Sequence, residues 1–561
     1  MAEAGALRET FDVVVLGSGA AGMTCALTAA VGGLTVVVLE KSEWIGGTSA
    51  MSGAGIWAPV NHLAAAAGVD DSAEEALAYI EAALTGGAAS RRRPLWKALC
   101  DNAGPMLRLV EETTPIRFAL TPEPDPVDVP GAKAHGRMVS PQALSKRIAG
   151  PFARRLRPST LPHLFTYHDM FWPNPWKRPL YAVFAIGPTL LRRLIRGERG
   201  QGTALMAGLV AGCLARGVQL RTKQTVAALS ARDGCVDGVR LSDGSEILAR
   251  RGVLIATGGF EWNRERLTRH FPGPTDFLTT PDTNSGDGLA LAETIGADVD
   301  QMDQANVHPA LPTRYLGRRY GMPVAWHVGP HAVAVNTKAE RFCSEYDYNL
   351  GAALDRRDDD GQPINLPAWL ICDRRFLLGS PVFAFYALKA RGWIRWARRL
   401  EELALTIGLD PAALMATVER FNDFCRAGRD EDFCRGEPLW ERFRSGATNG
   451  VGNPALGPIE RAPFFAIPLN RSLLGTKGGP LTDAAGRVLD RSGLAIPGLF
   501  AAGNAMANPI GTRVVGAGTT IGPHMTMGYV CARTILGKPE SDATTSRSST
   551  TASDEANQRK I

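Results

Sequence analysis

The chain has 561 residues, of which 45% are apolar and 21% charged, and its formal net charge is +6. That length exceeds what one hydrophobic core spans, so two or more domains are expected, and the composition is that of a globular protein. Arginine-rich runs occur ("RRRPLWK" from Arg91, "LRRLIRGERG" from Leu191, "WIRWARRL" from Trp393), but apolar residues interleave them at helical spacing. They read as solvated helix faces, and nucleic acid is set aside as a partner.

About ten residues precede the first strand-like run, which leaves no room for a signal peptide. No apolar run reaches the ~18 residues of a membrane-spanning helix. The nine cysteines are scattered singly, without CxxC pairs or Cys/His clusters, so no metal site is expected and the expected address is the cytoplasm.

"FDVVVLGSGAAGMTCALTAA" begins as a buried parallel strand and ends as a helix of small residues. Gly17, Gly19 and Gly22 stand between them at GxGxxG spacing, with Ser18, Ala20 and Ala21 filling the turn. Gly17 permits the tight turn, Gly19 lets a pyrophosphate approach, and Gly22 lets helix and strand pack. The helix N-terminus stabilises phosphate charge. "LTVVVLEKSE" is a second strand ending at Glu40 and Lys41, and Glu40 is placed to accept ribose hydroxyls. The strand–turn–helix–strand order with its acid predicts a dinucleotide site.

A second small-residue cluster follows in "EKSEWIGGTSAMSGAG": Gly46, Gly47, Thr48, Ser49, Ser52 and Gly53. A hydroxyl-rich strip here suits an extended FAD better than a nicotinamide dinucleotide. "LFTYHDMFWPNPWKRPLYAVFAIGPTLLRRLIRG" mixes aromatics, prolines and arginines. It reads as a helical excursion at about 150–200 packed on the cofactor domain, with a lid or a peripheral membrane contact as alternatives.

Further along, a helix and strand lead to Val226, and "RGVLIATGGFEWN" is a buried strand closed by Thr257, Gly258 and Gly259. "TNSGDGLALAETIGA" sets Asp287 at the head of another small-residue helix, and "IPGLFAAGNAMANP" is a strand ending at Gly503 and Asn504. "GTRVVGAGTTIG" then places Gly516 and Gly518 beside Thr520 and Ile521, bare enough for a ligand to lie on the backbone. The last segment, 541–561, reads as a disordered polar tail.

These motifs, with "VNTKAERFCSEYDYN", "GTKGGPLTD" and "VVGAGTTIGPHMTMGY", resemble in their order the FAD-dependent 3-ketosteroid dehydrogenase and fumarate reductase superfamily, the steroid-dehydrogenase branch more than the other. The resemblance implies an α/β fold: a Rossmann-like, glutathione-reductase-like FAD-binding domain with an inserted α+β catalytic domain. By motif order the FAD domain is 1–304 and 465–540, and the catalytic domain is 305–464. It further implies non-covalent FAD, a small apolar ketone as substrate and an electron acceptor that the sequence does not identify. A 3-ketosteroid is the favoured substrate and a cyclohexanone-type ring the alternative.

In relatives a backbone N–H at the position of Gly518 binds the ketone oxygen and stabilises the enolate formed when the α-proton leaves. The β-hydrogen then leaves as hydride to flavin N5. The family's catalytic base is a tyrosine after an "RFxNE"-type motif, which leaves Tyr348, preferred, and Tyr346. A free tyrosine has a pKa near ~10 and needs help to act as a base.

The chain departs from its relatives in three places. Val514 replaces the tyrosine that usually shares the carbonyl, and neighbouring Arg513 is the candidate to take that role or to bind a carboxylate. "PEPDPVDVPGAKAHGR", where an assisting tyrosine is expected, has none. The arginines and histidines with which fumarate reductases clamp a dicarboxylate are missing from the matching motifs, leaving Lys477 and Arg513 as cations. His308, His327 and His331 read as structural histidines. Reduction of an unsaturated carboxylate and a non-catalytic flavin protein are the remaining readings.

Overall fold

The computed structural model describes residues 8–84, 89–390, 392–447 and 452–537; the 541–561 tail lies outside them. Its main sheet grows from the valine runs. Val13, Val14 and Val15 of strand Arg8–Leu16 are fully buried, and strand Val36–Glu40 pairs with them in parallel, Val13 opposite Val36. A strand apolar on both faces needs cover on both, and helices Ala20–Val31, Gln201–Leu214 and Ile521–Ile535, rich in small residues, supply part of it.

The parallel core runs Ala495–Ala501, Glu246–Ile255, Arg8–Leu16, Val36–Glu40, Gln219–Thr222. A hairpin, Val226–Arg232 and Cys235–Leu241, adds antiparallel to Glu246–Ile255, and Arg487–Leu489 closes the other edge. A C-terminal strand thus lies two places from the first strand of the chain.

Between these halves Ala305–Val307 pairs antiparallel with Leu473–Thr476. The intervening chain builds a separate antiparallel sheet in the order Ala332–Val335, Trp369–Asp373, Phe464–Pro468, Arg395–Ala397. Apolar clusters around Leu370 and around Ile371 sit on its two faces, as alternation along one strand requires. This is the α/β fold with an α+β insertion that the sequence predicts.

The helical excursion forms helix Pro179–Arg196, ended by Gly197 in the left-handed region. Its Leu180, Phe184 and Ile195 are exposed. Among the described residues no helix is long and apolar enough to cross a membrane, and all nine cysteines are free thiols.

Candidate active site

Strand Arg8–Leu16 ends at Gly17, where φ is +101° and a Cβ would stand 2.4 Å from the carbonyl oxygen of Ala256. Only glycine fits that turn. The helix beyond it, Ala20–Val31, has Gly19 as its N-cap and no capping bond from that residue, and its first turn lines a cleft. Glu40 stands at that cleft's edge, its carboxylate accepting from Ser18 N–H at 3.2 Å and Ser18 Oγ at 2.7 Å. Ser49 Oγ accepts from Ala20 N–H at 3.0 Å, which binds the second glycine cluster to the first.

The cleft is lined by Gly17 to Ala21, Glu40, Lys41, Gly47, Thr48, Ser49, Val226, Thr257, Gly258, Asp287, Gly503 and Asn504, all expected from the sequence. Thr257 Oγ1 is buried with no hydrogen-bond partner, a polar atom still waiting for one. Lys41 is tied to Asp287 at 2.5 Å, so its charge supports the wall.

Three expected residues stand behind the lining. A Cβ on Gly22 would lie 2.2 Å from Gly17 O, one on Gly46 2.7 Å from Ala50 Cβ, and one on Gly259 2.3 Å from Thr476 Oγ1. Their glycines permit close packing. Gln224, Asn284 and His524 also line the cleft; the last two sit in the "TNSGDG" and "GTTIGPHMTMGY" stretches, where the sequence singles out their neighbours instead. Burial pushes His524 down to about 3, so its neutral ring serves as a hydrogen-bonding partner of Asn504 at 3.0 Å.

A larger cavity of about 440 Å³ continues from the same strip: Ser52, Gly53, Gly516, Gly518, Thr520 and Ile521 lie on it, with Tyr346 and Tyr348. Gly518 has φ +80°, and a Cβ would stand 2.6 Å from the nitrogens of Ile56 and Trp57. Its carbonyl accepts from Trp57 N–H at 3.2 Å, while among the described residues its own N–H has no acceptor. The free donor sits just before helix Ile521–Ile535, whose N-terminal end favours negative charge.

The loop carrying the tyrosines is held from below and from the side. Glu345, buried, accepts from Ala334 N–H at 2.8 Å and is paired with Arg341 at 2.9 Å and Arg435 at 2.8 Å. Asn349 forms a two-bond clamp on Val514: Val514 N–H donates to Oδ1 at 2.8 Å, and Nδ2 donates to Val514 O at 3.1 Å. The residue that replaces the family tyrosine therefore serves through its backbone, fixing the glycine stretch against the tyrosine loop.

Tyr346 is 1% exposed and lies under the Arg435 guanidinium, 5.0 Å from the ring centroid. Tyr348 is half-buried, its ring edge-on to Trp440 at 4.7 Å. Burial, and then the neighbouring Glu123 carboxylate, hold its phenol above the ordinary tyrosine range, and Arg444 opposes them.

Two partners of Tyr348 escape the sequence reading. Glu123 falls in the stretch where the assisting tyrosine was expected; burial raises it to about 7, and it accepts from Tyr167 Oη at 3.1 Å. Tyr167 comes from the excursion, packs against bare Gly53, and belongs to the same charged neighbourhood as Tyr348. Arg444 lies on the cavity wall as well.

The two candidate cations are corrected, and the three histidines divide. Arg513 is exposed and does not line the cavity, because the Asn349 clamp fixes the neighbouring backbone with that side chain turned outward. Lys477 is buried, pushed down to about 7 by desolvation, and donates to Gly511 O at 2.8 Å. His331 is held by Pro458 O at 2.8 Å, away from the cavity. His308 and His327 do reach it, rings 5.4 Å apart, and burial lowers both, His308 to about 4.

A family model described as FAD binding domain matches residues 12–521. The chain belongs to the FAD-dependent 3-ketosteroid dehydrogenase and fumarate reductase superfamily. It is 37% identical over 95% of its length to the 4-oxocyclohexanecarboxylate 2-dehydrogenase of Sinomonas cyclohexanicum, covering 94% of that protein. It is 34% identical over 93% of its length to the 3-oxosteroid 1-dehydrogenase of Mycobacterium tuberculosis, covering 98%. The structure of 3-ketosteroid Δ1-dehydrogenase from Sterolibacterium denitrificans with 1,4-androstadiene-3,17-dione matches with a TM-score of 0.84 at 32% identity, over 94% of this chain and all of that one. The flavoprotein's cofactor is FAD. The orphaned Thr257 hydroxyl, the Gly17 turn and the Glu40 carboxylate fit its nucleotide half, and the Gly516–Gly518 strip leaves room for a flat ring.

Proposed function

We propose that this flavoprotein desaturates a cyclic ketone, placing a C=C bond beside the carbonyl, with a 3-ketosteroid or a cyclohexanone-type ring as substrate. The observation that carries this reading is one cavity faced by both an unpaired backbone N–H, at Gly518, and a phenol, at Tyr348. The names of its relatives, dehydrogenases of a steroid ketone and of a cyclohexanone acid, support it. The segment 305–464 is read as the inserted catalytic domain between 1–304 and 465–540, in a cytoplasmic enzyme.

Bound FAD supplies the acceptor for the β-hydrogen, taken as hydride. Gly518 N–H donates to the ketone oxygen and stabilises the charge that develops as the α-proton leaves; removing such a donor costs about 10²–10³ in rate. Tyr348 receives the α-proton. Its own acidity is suppressed, so it works by passing a proton on as it takes one, and the acceptor assigned beyond it is Glu123, near 7, which also accepts from the Tyr167 hydroxyl. The substrate loses its α-proton to this relay, and the electrons that FAD would take up would pass to an acceptor outside the site.

Anaerobic mixing of the yellow holoenzyme with 3-ketosteroids and cyclohexanones tests the proposal, with loss of flavin colour and an enone product expected. If no cyclic ketone bleaches the flavin, the reading is wrong.

A further inference from the structure

We propose that the substrate carries a carboxylate remote from its ketone, and that Arg444 binds it. The inference rests on the desaturase reading for the word ketone, but the cation stands on its own. Several buried arginines of this molecule hold carboxylates: Arg137 with Asp71 at 2.6 Å, Arg435 with Glu345 at 2.8 Å, Arg471 with Asp355 at 2.8 Å, while buried Arg157 bonds a serine hydroxyl, Ser42 Oγ, at 2.8 Å. Arg444 is partly buried on the cavity wall, and among the described residues no carboxylate lies within ion-pair distance of it. Its one described contact is the face of Trp440, 5.8 Å from the guanidinium carbon.

Arg444 lines the same cavity as Glu123, Tyr348, His308 and His327, and its charge favours the ionised forms of the first two and disfavours protonation of the histidines. A guanidinium with no carboxylate in hydrogen-bond contact keeps its planar fork free, and that fork matches a carboxylate with two parallel hydrogen bonds. Lys177, exposed at the cavity mouth, adds a second positive charge along the way in. An uncharged ketone leaves this cation unsatisfied, whereas a keto acid completes it.

Two compound classes carry that chemistry, a single ring bearing a carboxylate and a steroid with an acidic side chain. The test uses holoenzyme, wild type, Arg444→Met and Arg444→Lys, and two readouts. In the first, cyclohexanecarboxylate, which has no ketone, is titrated anaerobically against the flavin spectrum. Arg444→Met should weaken its binding about tenfold or more, and Arg444→Lys should recover part of it.

In the second, kcat/KM is compared for a cyclohexanone carboxylic acid and its methyl ester, and for a 3-ketosteroid acid and a neutral 3-ketosteroid. The acid-to-neutral ratio should exceed one in the wild type and fall at least about tenfold in Arg444→Met, in the monocyclic or the steroid pair according to the true source. An unchanged ratio in both pairs, or carboxylate binding indifferent to the substitution, overturns the inference. Turnover of neutral ketones would then leave the desaturase reading standing. Carboxylate binding lost in Arg444→Met while no ketone is desaturated would keep the anion site and sink the desaturase.

Discussion

At residue 348 a hydroxyl is all that separates tyrosine from phenylalanine, and the packing on Trp440 needs only the ring. Tyr348→Phe should therefore keep its fold and its flavin colour while kcat drops about 10²–10⁴-fold, the range for a lost acid–base group, read by anaerobic flavin bleaching. Gly518→Ala acts differently. It adds a methyl 2.6 Å from two backbone nitrogens at positive φ, so the glycine strip must shift and both ketone turnover and flavin spectrum should change. Glu123 supplies a pH dependence with a defined sign. Held near 7 by burial, it is neutral below that value and a proton acceptor above it. The kcat/KM of the wild type should rise with pH through about 7, and Glu123→Gln should flatten that limb; an inflection surviving the substitution would exclude Glu123 as its source.

Among the structural elements, the tyrosine loop and the glycine stretch are one unit joined by Asn349. Asn349→Ala removes both bonds to Val514, so each side should gain freedom. The expected outcome is a loss of about 1–3 kcal/mol in stability by denaturant melts and a fall in kcat larger than the rise in KM. The cofactor half of this arrangement is legible in the sequence because its signals are local: Gly17, Gly19 and Glu40 lie on one strand–turn–helix–strand unit with fixed spacing. The substrate half is assembled from afar. Tyr167 arrives from an excursion and Arg444 from helix Leu439–Ser445, neither in a motif, and their meeting with Tyr348 depends on packing that no spacing records. Arg513 shows the converse, since adjacency to the glycines along the chain does not say which way a side chain turns.

Across the whole molecule, the cleft we assign to FAD is lined by Gly17–Ala21, Glu40, Thr257–Gly258, Asp287 and Gly503–Asn504, nearly five hundred positions apart at the extremes. Strand Ala495–Ala501 is held in the sheet by Glu246–Ile255; the loop that follows it packs Gly503 beside Ala21 of the first helix, and both segments then line the cleft. A ligand that binds only this assembled form stabilises it by mass action, about 2.7 kcal/mol at a hundredfold excess over Kd. Stripping FAD should therefore lower the melting temperature by a few degrees, the shift for ~2–3 kcal/mol in a chain larger than an ordinary domain. Proteolysis of the stripped protein should cut first within the 503–520 loop, and added FAD should restore both protection and melting point. Equal melting and cleavage with and without FAD would mean that the two ends of the chain close on each other unaided, and that the cofactor enters a finished cleft instead of completing one.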